Sequence, residues 1–243
     1  MKPEISIIIP TINEEEYLPK LLKSIKKQDY KNYEVIVADN NSKDRTSKIA
    51  KQYGATVIDG ALPGAARNNG AKISKGSILL FFDSDVTFEK DFLKKVVSDF
   101  KKRDLEIAIS GIRTDSKKTI DKFLYVMADL SLKTIQYFKV HGAGCCGIMV
   151  KKDIHEKIKG FNESMYFGED VDYILRASKH GKFRVLKTKL YISARRFEVE
   201  GRLNLALKYI KSTFYDFIGK STNDKIGYNF DIYKNLKNKD GKY

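Results

Sequence analysis

Apolar residues in the first hundred positions alternate between short β-branched runs and longer stretches with helical spacing. Residues 5–9 read Ile-Ser-Ile-Ile-Ile and end at Pro10, which is typical of a buried strand. Leucine and isoleucine then recur at helical spacing over 14–27, and Asn13 occupies the position expected of an N-cap. The alternation continues along the chain. It predicts strands over 34–38, 55–58 and 78–82 and helices over 42–53, 64–75 and 90–102.

Strands that alternate with helices in this way form crossover units and a mainly parallel sheet. We therefore predict an α/β fold with a Rossmann-like central sheet flanked by helices. In such sheets, ligands bind beyond the carboxyl ends of the strands. Polar residues follow three of the predicted strands, over 11–14, 39–42 and 83–85. We expect these three segments to converge on one rim of the sheet.

After Phe88 strands and helices no longer alternate regularly. The pattern predicts a strand over 106–110, a long amphipathic helix over 120–138 and a helix that begins at 169. Small residues over 142–147 lead directly into a further short strand. Near the C-terminus, apolar residues form a helical stripe flanked by lysines, which either packs on the core or lies at a membrane interface. This C-terminal stripe comprises Leu203, Leu207, Ile210, Phe214, Phe217 and Ile218.

Composition and charge narrow the classes of protein. Of 243 residues, 42% are hydrophobic, which suits a folded core and excludes a disordered chain. The net charge of +15 predicts an anionic partner, whether nucleic acid, a phosphorylated substrate or an acidic membrane surface. The adjacent Cys145 and Cys146 give no disulfide framework, which favours a reducing cytosol. Met1 leads directly into a strand, and no apolar run reaches the roughly 18 residues of a membrane span. We predict a cytoplasmic protein that is either soluble or peripheral on the cytoplasmic membrane face.

Two carboxylates end the buried strand over 78–82. Asp83 and Asp85 lie one residue apart, and a turn at Ser84 would let one carboxylate meet a metal and the other a sugar or ribose. Hard cations such as Mg²⁺ and Mn²⁺ prefer oxygen ligands, often one or two carboxylates together with substrate phosphates. The alternative interpretation is a solvated strand end.

Five short segments in this order resemble the family 2 glycosyltransferases, which have the GT-A fold. They are 7–14 (IIIPTINE), 34–46 (EVIVADNNSKDRT), 64–70 (GAARNNG), 83–85 (DSD) and 168–172 (GEDVD). Each segment is a weak signal alone, but the resemblance covers roughly residues 4–190.

The resemblance implies how the chain is divided. A GT-A domain is expected over 1–200, with a nucleotide-binding half over 1–110 and an acceptor-binding half over 111–200. Residues 201–243 then form a separate amphipathic helix and basic tail.

Within the resemblance, residues at the strand ends bind a nucleotide-diphosphate sugar. Asp39 matches a carboxylate that accepts a hydrogen bond from a base N–H, which suits a group that only accepts. Arg67 matches a basic residue near the base or diphosphate; the alternative is a surface helix cation. The implied donor-binding residues are Pro10, Thr11, Asn13, Glu14, Asp39, Asn41, Arg67, Asp83, Ser84, Arg195 and Arg196.

The resemblance also implies a metal and a catalytic base. Asp85, together with Asp83, is expected to bind Mn²⁺ or Mg²⁺, which stabilises charge on the departing diphosphate. Asp170 matches the base that deprotonates the acceptor, with Glu169 positioning the acceptor and Asp172 as an alternative base. The structural alternative is that acidic residues simply suit the first turn of a helix.

Arg195 and Arg196 form a basic pair beyond these acidic residues. We interpret them as a clamp on the diphosphate, and a solvated basic turn is the alternative. Some processive members of the family carry Gln-x-x-Arg-Trp in this region. The Gln and Trp are absent here, which argues against a processive polysaccharide synthase.

The function implied is a metal-dependent, inverting glycosyltransferase. It would move a sugar from a UDP- or GDP-sugar to a glycan hydroxyl or to a polyprenyl or other lipid phosphate, with peripheral membrane contact as a further option. The alternative is a basic protein that binds nucleic acid or an anionic surface without transferase activity. The lysines are dispersed and no recognition motif is present, so no nucleic-acid partner is expected.

Overall fold

A single eight-stranded sheet runs through the protein. The computed structural model describes residues 2–138, 140, 147–165, 168–202, 204, 207 and 208. The strands are β1 (Ile5–Thr11), β2 (Tyr33–Asp39), β3 (Thr56–Asp59), β4 (Ile78–Phe81), β5 (Val86–Thr87), β6 (Ile107–Thr114), β7 (Ile148–Lys151) and β8 (Phe183–Ile192). The helices are α1 (Leu18–Lys26), α2 (Thr46–Gln52), α3 (Pro63–Ile73), α4 (Phe92–Lys102), α5 (Thr119–Ile135), α6 (Lys152–Lys157), α7 (Glu169–Ser178) and α8 (Arg195–Glu200).

The strand order is β3-β2-β1-β4-β7-β6-β8-β5. The first four strands pair in parallel, as predicted, so their carboxyl ends share one edge. β7 lies antiparallel between β4 and β6, and β6 and β8 are again parallel. Through β7, the sheet continues without a break from the predicted nucleotide-binding half into the predicted acceptor-binding half. The division into these halves stays a prediction.

The predicted strands and helices of the first hundred residues are all present, although α1 and α2 begin four residues later than predicted and α4 begins two residues later. α1 begins at Leu18 rather than at residue 14, because Asn13 does not cap it. Asn13 has a φ of 53°, and its side-chain oxygen accepts from the backbone N–H of Lys43 at 2.8 Å. α2 begins at Thr46, whose backbone N–H donates a hydrogen bond to the Asp44 carboxylate at 2.9 Å.

Four elements, β5, α6, β8 and α8, were not predicted from the sequence pattern. β8 reads FRVLKTKLYI, in which basic residues interrupt the apolar pattern. β8 is long because it pairs with β6 over almost its whole length and with β5 at its end. The segment over 142–146 and most of the C-terminal stripe lie outside the described residues.

The core lies on both faces of the sheet. β4 is buried at every position, and α1 buries Leu18, Leu21, Leu22 and Ile25 on one stripe. α3 lies unusually close to β1, because a Cβ on Gly70 would stand 2.5 Å from Cγ2 of Ile8. None of the described helices has the length and hydropathy needed to cross a bilayer.

Candidate active site

The loops after β1 and β2 are joined by hydrogen bonds at the rim of the sheet. Thr11 and Asp39 are register partners, and the Thr11 hydroxyl donates to Asp39 Oδ1 at 3.0 Å. The Ser42 hydroxyl donates to the same oxygen at 2.5 Å, and its backbone N–H donates to Oδ2 at 3.3 Å. An ionised carboxylate has about four acceptor positions, so these bonds orient Asp39 and leave it limited capacity for a ligand N–H.

Two left-handed asparagines shape the same rim. Asn13 and Asn41 have φ of 53° and 51°, a conformation that asparagine tolerates better than most residues. The backbone N–H of Asn13 donates to the Ser42 hydroxyl at 2.8 Å, so the two loops brace each other. Pro10 lies at the end of β1, opposite Ala38. The segments 11–14 and 39–42 therefore converge on one rim, as predicted.

The chain turns at Ser84, as predicted, and sends its two aspartates to different partners. The Ser84 side chain is buried and lies close enough to the Glu14 carboxylate to favour its charged form. Asp83 Oδ1 lies 2.8 Å from Nη2 of Arg67, whereas Asp85 Oδ2 lies 2.8 Å from Nε of Arg195. Residues 83–85 therefore connect two arginine-centred clusters.

The first cluster, here the Arg67 cluster, surrounds a buried guanidinium. Arg67 lies three residues before Gly70, so the close approach of α3 to the sheet carries it inward. Its side chain is only 2% exposed, and it pairs with Asp83 at 2.8 Å, Glu169 at 2.9 Å and Asp170 at 3.2 Å. One cation thus holds three carboxylates from two separate parts of the chain, the 83–85 turn and the first turn of α7.

α7 brings the acidic pair to this cluster. Gly168 precedes the helix with a φ of 76°, and Glu169 and Asp170 occupy the first turn. Both carboxylates face Arg67, whereas Asp172 pairs with Arg176 one turn later, at 2.7 Å. Of the two aspartates considered as base, Asp170 is the one directed to the rim.

Aromatic side chains pack against α7 and support it. Phe161 stacks on Tyr173 with centroids 3.9 Å apart, and the Arg67 guanidinium lies 5.3 Å from the Phe161 ring. Nδ1 of His155 lies 2.8 Å from the Tyr173 hydroxyl. Burial, with a contribution from nearby Lys152, lowers the pKa of His155 to about 4, so this ring is neutral at pH 7.

The second cluster, here the Arg195 cluster, lies on the other side of the 83–85 turn. Arg195 makes two hydrogen bonds to the Glu14 carboxylate, at 2.9 and 3.0 Å, and pairs with Asp85. Its guanidinium stands 4.5 Å from the centre of the Tyr17 ring. Burial raises the pKa of Glu14, partly offset by Arg195. Burial opposes the charge on Arg195, but Asp85 and Glu14 outweigh it and raise the pKa of the guanidinium.

Three contributors to the rim were not predicted as site residues. Ser42 lies within the segment over 34–46, and its position three residues after Asp39 is a signal that could have identified it. Tyr17 lies beside Arg195 and carries no motif of its own. Ser193 directly follows the end of β8, and its backbone N–H donates to the Asp85 carbonyl at 3.1 Å. Arg196 follows Arg195 in α8 and is partly buried.

The chemistry of the 83–85 turn fits a hard divalent cation. Asp83 and Asp85 offer carboxylate oxygens at the rim, with 30% and 7% of their side chains exposed. Within the described ranges, no three acidic, histidine or cysteine side chains form a ready-made metal cluster. Such a donor set matches a cation that also binds substrate phosphates and water.

The sheet and its rim define a GT-A class of fold, and solved structures share it. TarS of Staphylococcus aureus, in complex with UDP, superposes with a TM-score of 0.65 over 78% of this chain and 60% of that one, at 23% identity. The mannosyltransferase PcManGT of Pyrobaculum calidifontis, in complex with GDP-Man and Mn²⁺, superposes with a TM-score of 0.63 over 92% of this chain and 66% of that one, at 18% identity.

The sequence places the chain within one family. The model of glycosyl transferase family 2 matches residues 6–159, and the chain belongs to that family. Glycosyltransferase AglE of Haloferax volcanii is 30% identical over 199 residues, which are 74% of this chain and 62% of AglE. The chain thus spans less than two thirds of the length of this relative.

Proposed function

We propose that this chain is a glycosyltransferase domain that takes a nucleotide-diphosphate sugar as donor. The observation that carries the proposal is the 83–85 turn, which links the Arg67 cluster and the Arg195 cluster at the carboxyl edge of the sheet. Family membership supports it, as do the UDP, UDP-GlcNAc and GDP-Man bound to structures of similar fold.

The nucleoside binds at the Thr11–Asp39 end of the rim. The loops here are braced by Ser42 and Asn13, so a base can bind without reordering them. The remaining acceptor capacity of Asp39 suits a base N–H, as in uracil or guanine. Asn41 and Pro10 flank this position. A uridine or guanosine diphosphate sugar is therefore the donor class that we propose.

Asp85, with Asp83, holds Mn²⁺ or Mg²⁺ when the donor is present. Bound there, the cation supplies electrostatic stabilisation of the diphosphate leaving group. In the structure Asp85 is paired with Arg195. We infer that Arg195 moves from Asp85 to the diphosphate when the donor binds, with Arg196 beside it, because guanidinium groups bind phosphates strongly. Arg195 lies on α8, which has only six residues, and so short a helix fixes the position of this side chain less firmly than a long helix would.

Asp170 acts as the base that takes the proton from the acceptor hydroxyl, in an inverting displacement. Arg67 fixes the orientation of Asp170 and of Glu169, which contacts the acceptor. Arg67 is only 2% exposed, so we assign it to positioning these carboxylates rather than to direct contact with the diphosphate. The acceptor is a glycan hydroxyl or a lipid phosphate; for the latter, which is already ionised, Asp170 would not be needed as base.

Thermal unfolding with nucleotide sugars tests the donor and metal assignments together. UDP- or GDP-sugars are expected to raise Tm by roughly 5–10 °C at a hundred-fold excess over Kd, and only with Mn²⁺. Asp85→Asn keeps the shape of the side chain and should abolish this shift. Asp99→Asn, on the remote helix α4, is the matched control and should retain it. A protein that responds to none of these ligands but binds DNA in a salt-dependent manner would be the non-enzymatic alternative.

A further inference from the structure

The outer face of α5 exposes a continuous apolar stripe, here the α5 face. Its five apolar side chains are 47–58% exposed, and their spacing places them on one side of the helix. Beyond the end of α5 the stripe continues to Tyr137 and Phe138, which are 71% and 87% exposed. Contiguous exposed apolar patches of this kind commonly mark interaction sites. The five residues of the α5 face are Ile120, Phe123, Val126, Met127 and Leu130.

The charges of α5 are sorted between its two faces. The two acidic residues of the helix, Asp121 and Asp129, are buried. Asp121 pairs with Arg202 at 2.6 Å, and Asp129 pairs with Lys133 at 2.8 Å and with Lys189 at 2.6 Å. The outer side of α5 therefore presents apolar, hydroxyl and lysine side chains. Exposed lysines at its N-terminal end are Lys117, Lys118 and Lys122.

We propose that the α5 face docks on the surface of an anionic lipid bilayer. Interfacial helices bury an apolar face at the boundary between headgroups and acyl chains and keep lysines at its border. Lysines near an anionic membrane add electrostatic attraction to the burial of the apolar face. The surface of α5 supplies both features, and its inward acidic residues remove the repulsion that exposed carboxylates would add.

A second copy of the chain fits this surface less well. Two α5 faces packed together would bring the lysines of both copies to one border, where like charges repel. A stable dimer also buries about 800 Å² on each partner, which is more than one helix stripe offers.

The C-terminal stripe is the other rival occupant. Arg202 ties the start of that segment to the first turn of α5 through Asp121. Leu207 belongs to the C-terminal stripe, yet it is 57% exposed. This described member of the stripe is itself largely open to solvent, and coverage of the α5 face by the stripe is an outcome that the fluorescence experiment below detects.

The α5 face begins beside the candidate active site. Tyr125 packs edge-on against Phe197 of α8, with centroids 5.6 Å apart. The backbone N–H of Ala194, next to Arg195, donates to Asp115 at 3.0 Å. A bilayer on α5 would therefore lie next to the rim. This step rests on the proposed function: a lipid-linked acceptor would then enter the candidate active site from the side of the bilayer.

A single tryptophan can report on the α5 face, because the chain contains none. Phe123→Trp in the full chain should emit as a water-exposed indole in buffer. Vesicles of phosphatidylcholine with phosphatidylglycerol should shift the emission to the blue, and vesicles of phosphatidylcholine alone should do so weakly. Ile73→Trp, exposed on α3, is the matched control and should not respond. Emission that is already blue-shifted in buffer, from a monomer or a dimer, would overturn the proposal.

Sedimentation with the same anionic vesicles tests affinity. Phe123→Ser with Met127→Ser should lower the partition coefficient about ten-fold or more, since both side chains are half exposed and lose apolar burial. Ile73→Ser should leave it unchanged. Equal binding of the double variant would assign membrane contact to another surface and refute the proposal. The double variant should keep its nucleotide-dependent Tm shift, so loss of vesicle binding and failure of the proposed donor site are read separately.

Discussion

The Arg67 cluster and the Arg195 cluster use the same interaction in opposite settings. Arg67 is 2% exposed and is held by a long helix, the end of a strand and the first turn of α7. Arg195 is 20% exposed and belongs to a short helix, and both of its acidic partners lie in loops. A buried ion held on several sides serves to position its neighbours, whereas one at a loop edge can exchange partners. The comparison indicates a rigid base side and a movable metal side within one rim.

The largest expected effect comes from removing the buried guanidinium. Arg67→Met leaves three carboxylates without their shared cation and should lower the free energy of unfolding by about 3–5 kcal/mol. Urea unfolding monitored by circular dichroism measures it. Arg67→Lys keeps the positive charge but not the planar guanidinium group, so it should lower the free energy of unfolding by less than Arg67→Met does. A loss below about 1 kcal/mol for Arg67→Met would remove the contrast between the two clusters.

The next effect is on catalysis. Asp170→Asn should lower the rate of sugar transfer to an acceptor hydroxyl by about 10²-fold or more, because the base is lost, and should keep Mn²⁺-dependent nucleotide binding. The transfer rate is measured with a donor that the thermal-unfolding experiment identifies, and the Tm shift is measured in parallel. Together they separate loss of catalysis from loss of nucleotide binding. Asp172→Asn is the control, since that side chain pairs with Arg176. Full activity of Asp170→Asn on such an acceptor would exclude Asp170 as base.

The smallest expected effect comes from changing the Arg195 cluster. Arg195→Met should cost less stability than Arg67→Met, on the order of 2 kcal/mol, because the Arg195 side chain is 20% exposed although its partners Glu14 and Asp85 are largely buried. Without a competing cation on Asp85, the free protein should bind Mn²⁺ a few-fold more tightly, while UDP with Mn²⁺ should bind more weakly. Titration calorimetry measures both, with Arg103→Met at the end of the remote helix α4 as control. If Mn²⁺ affinity instead falls, Arg195 does not compete for Asp85.

Several parts of the site were open to prediction from local patterns. Strand and helix periodicity located β1 to β4, and the rule that parallel strands end at one edge brought Thr11, Asp39 and Asp83 together. The turn at Ser84 followed from two carboxylates placed directly after a buried strand. Each of these inferences depends on residues that are close in sequence, where side-chain spacing reports directly on geometry.

Other parts had no local signal. Asn13 looked like an N-cap, but a contact with Lys43, 30 residues away, decided its conformation. β8 was missed because its basic residues hide the alternation that pairing with β6 stabilises. Tyr17 acquires a role only because Arg195 returns to it from the far end of the sheet.

The sequence by itself determined the alternation of elements, the identity of the acidic residues at the rim and the family to which they point. Only the tertiary structure decided which arginine holds which carboxylate. Arg67 and Glu169 are 102 residues apart, and Glu14 and Arg195 are 181 apart. The physical reason is that charge pairing depends on distance in space, and that distance is set by how the strands are ordered in the sheet rather than by any pattern along the chain.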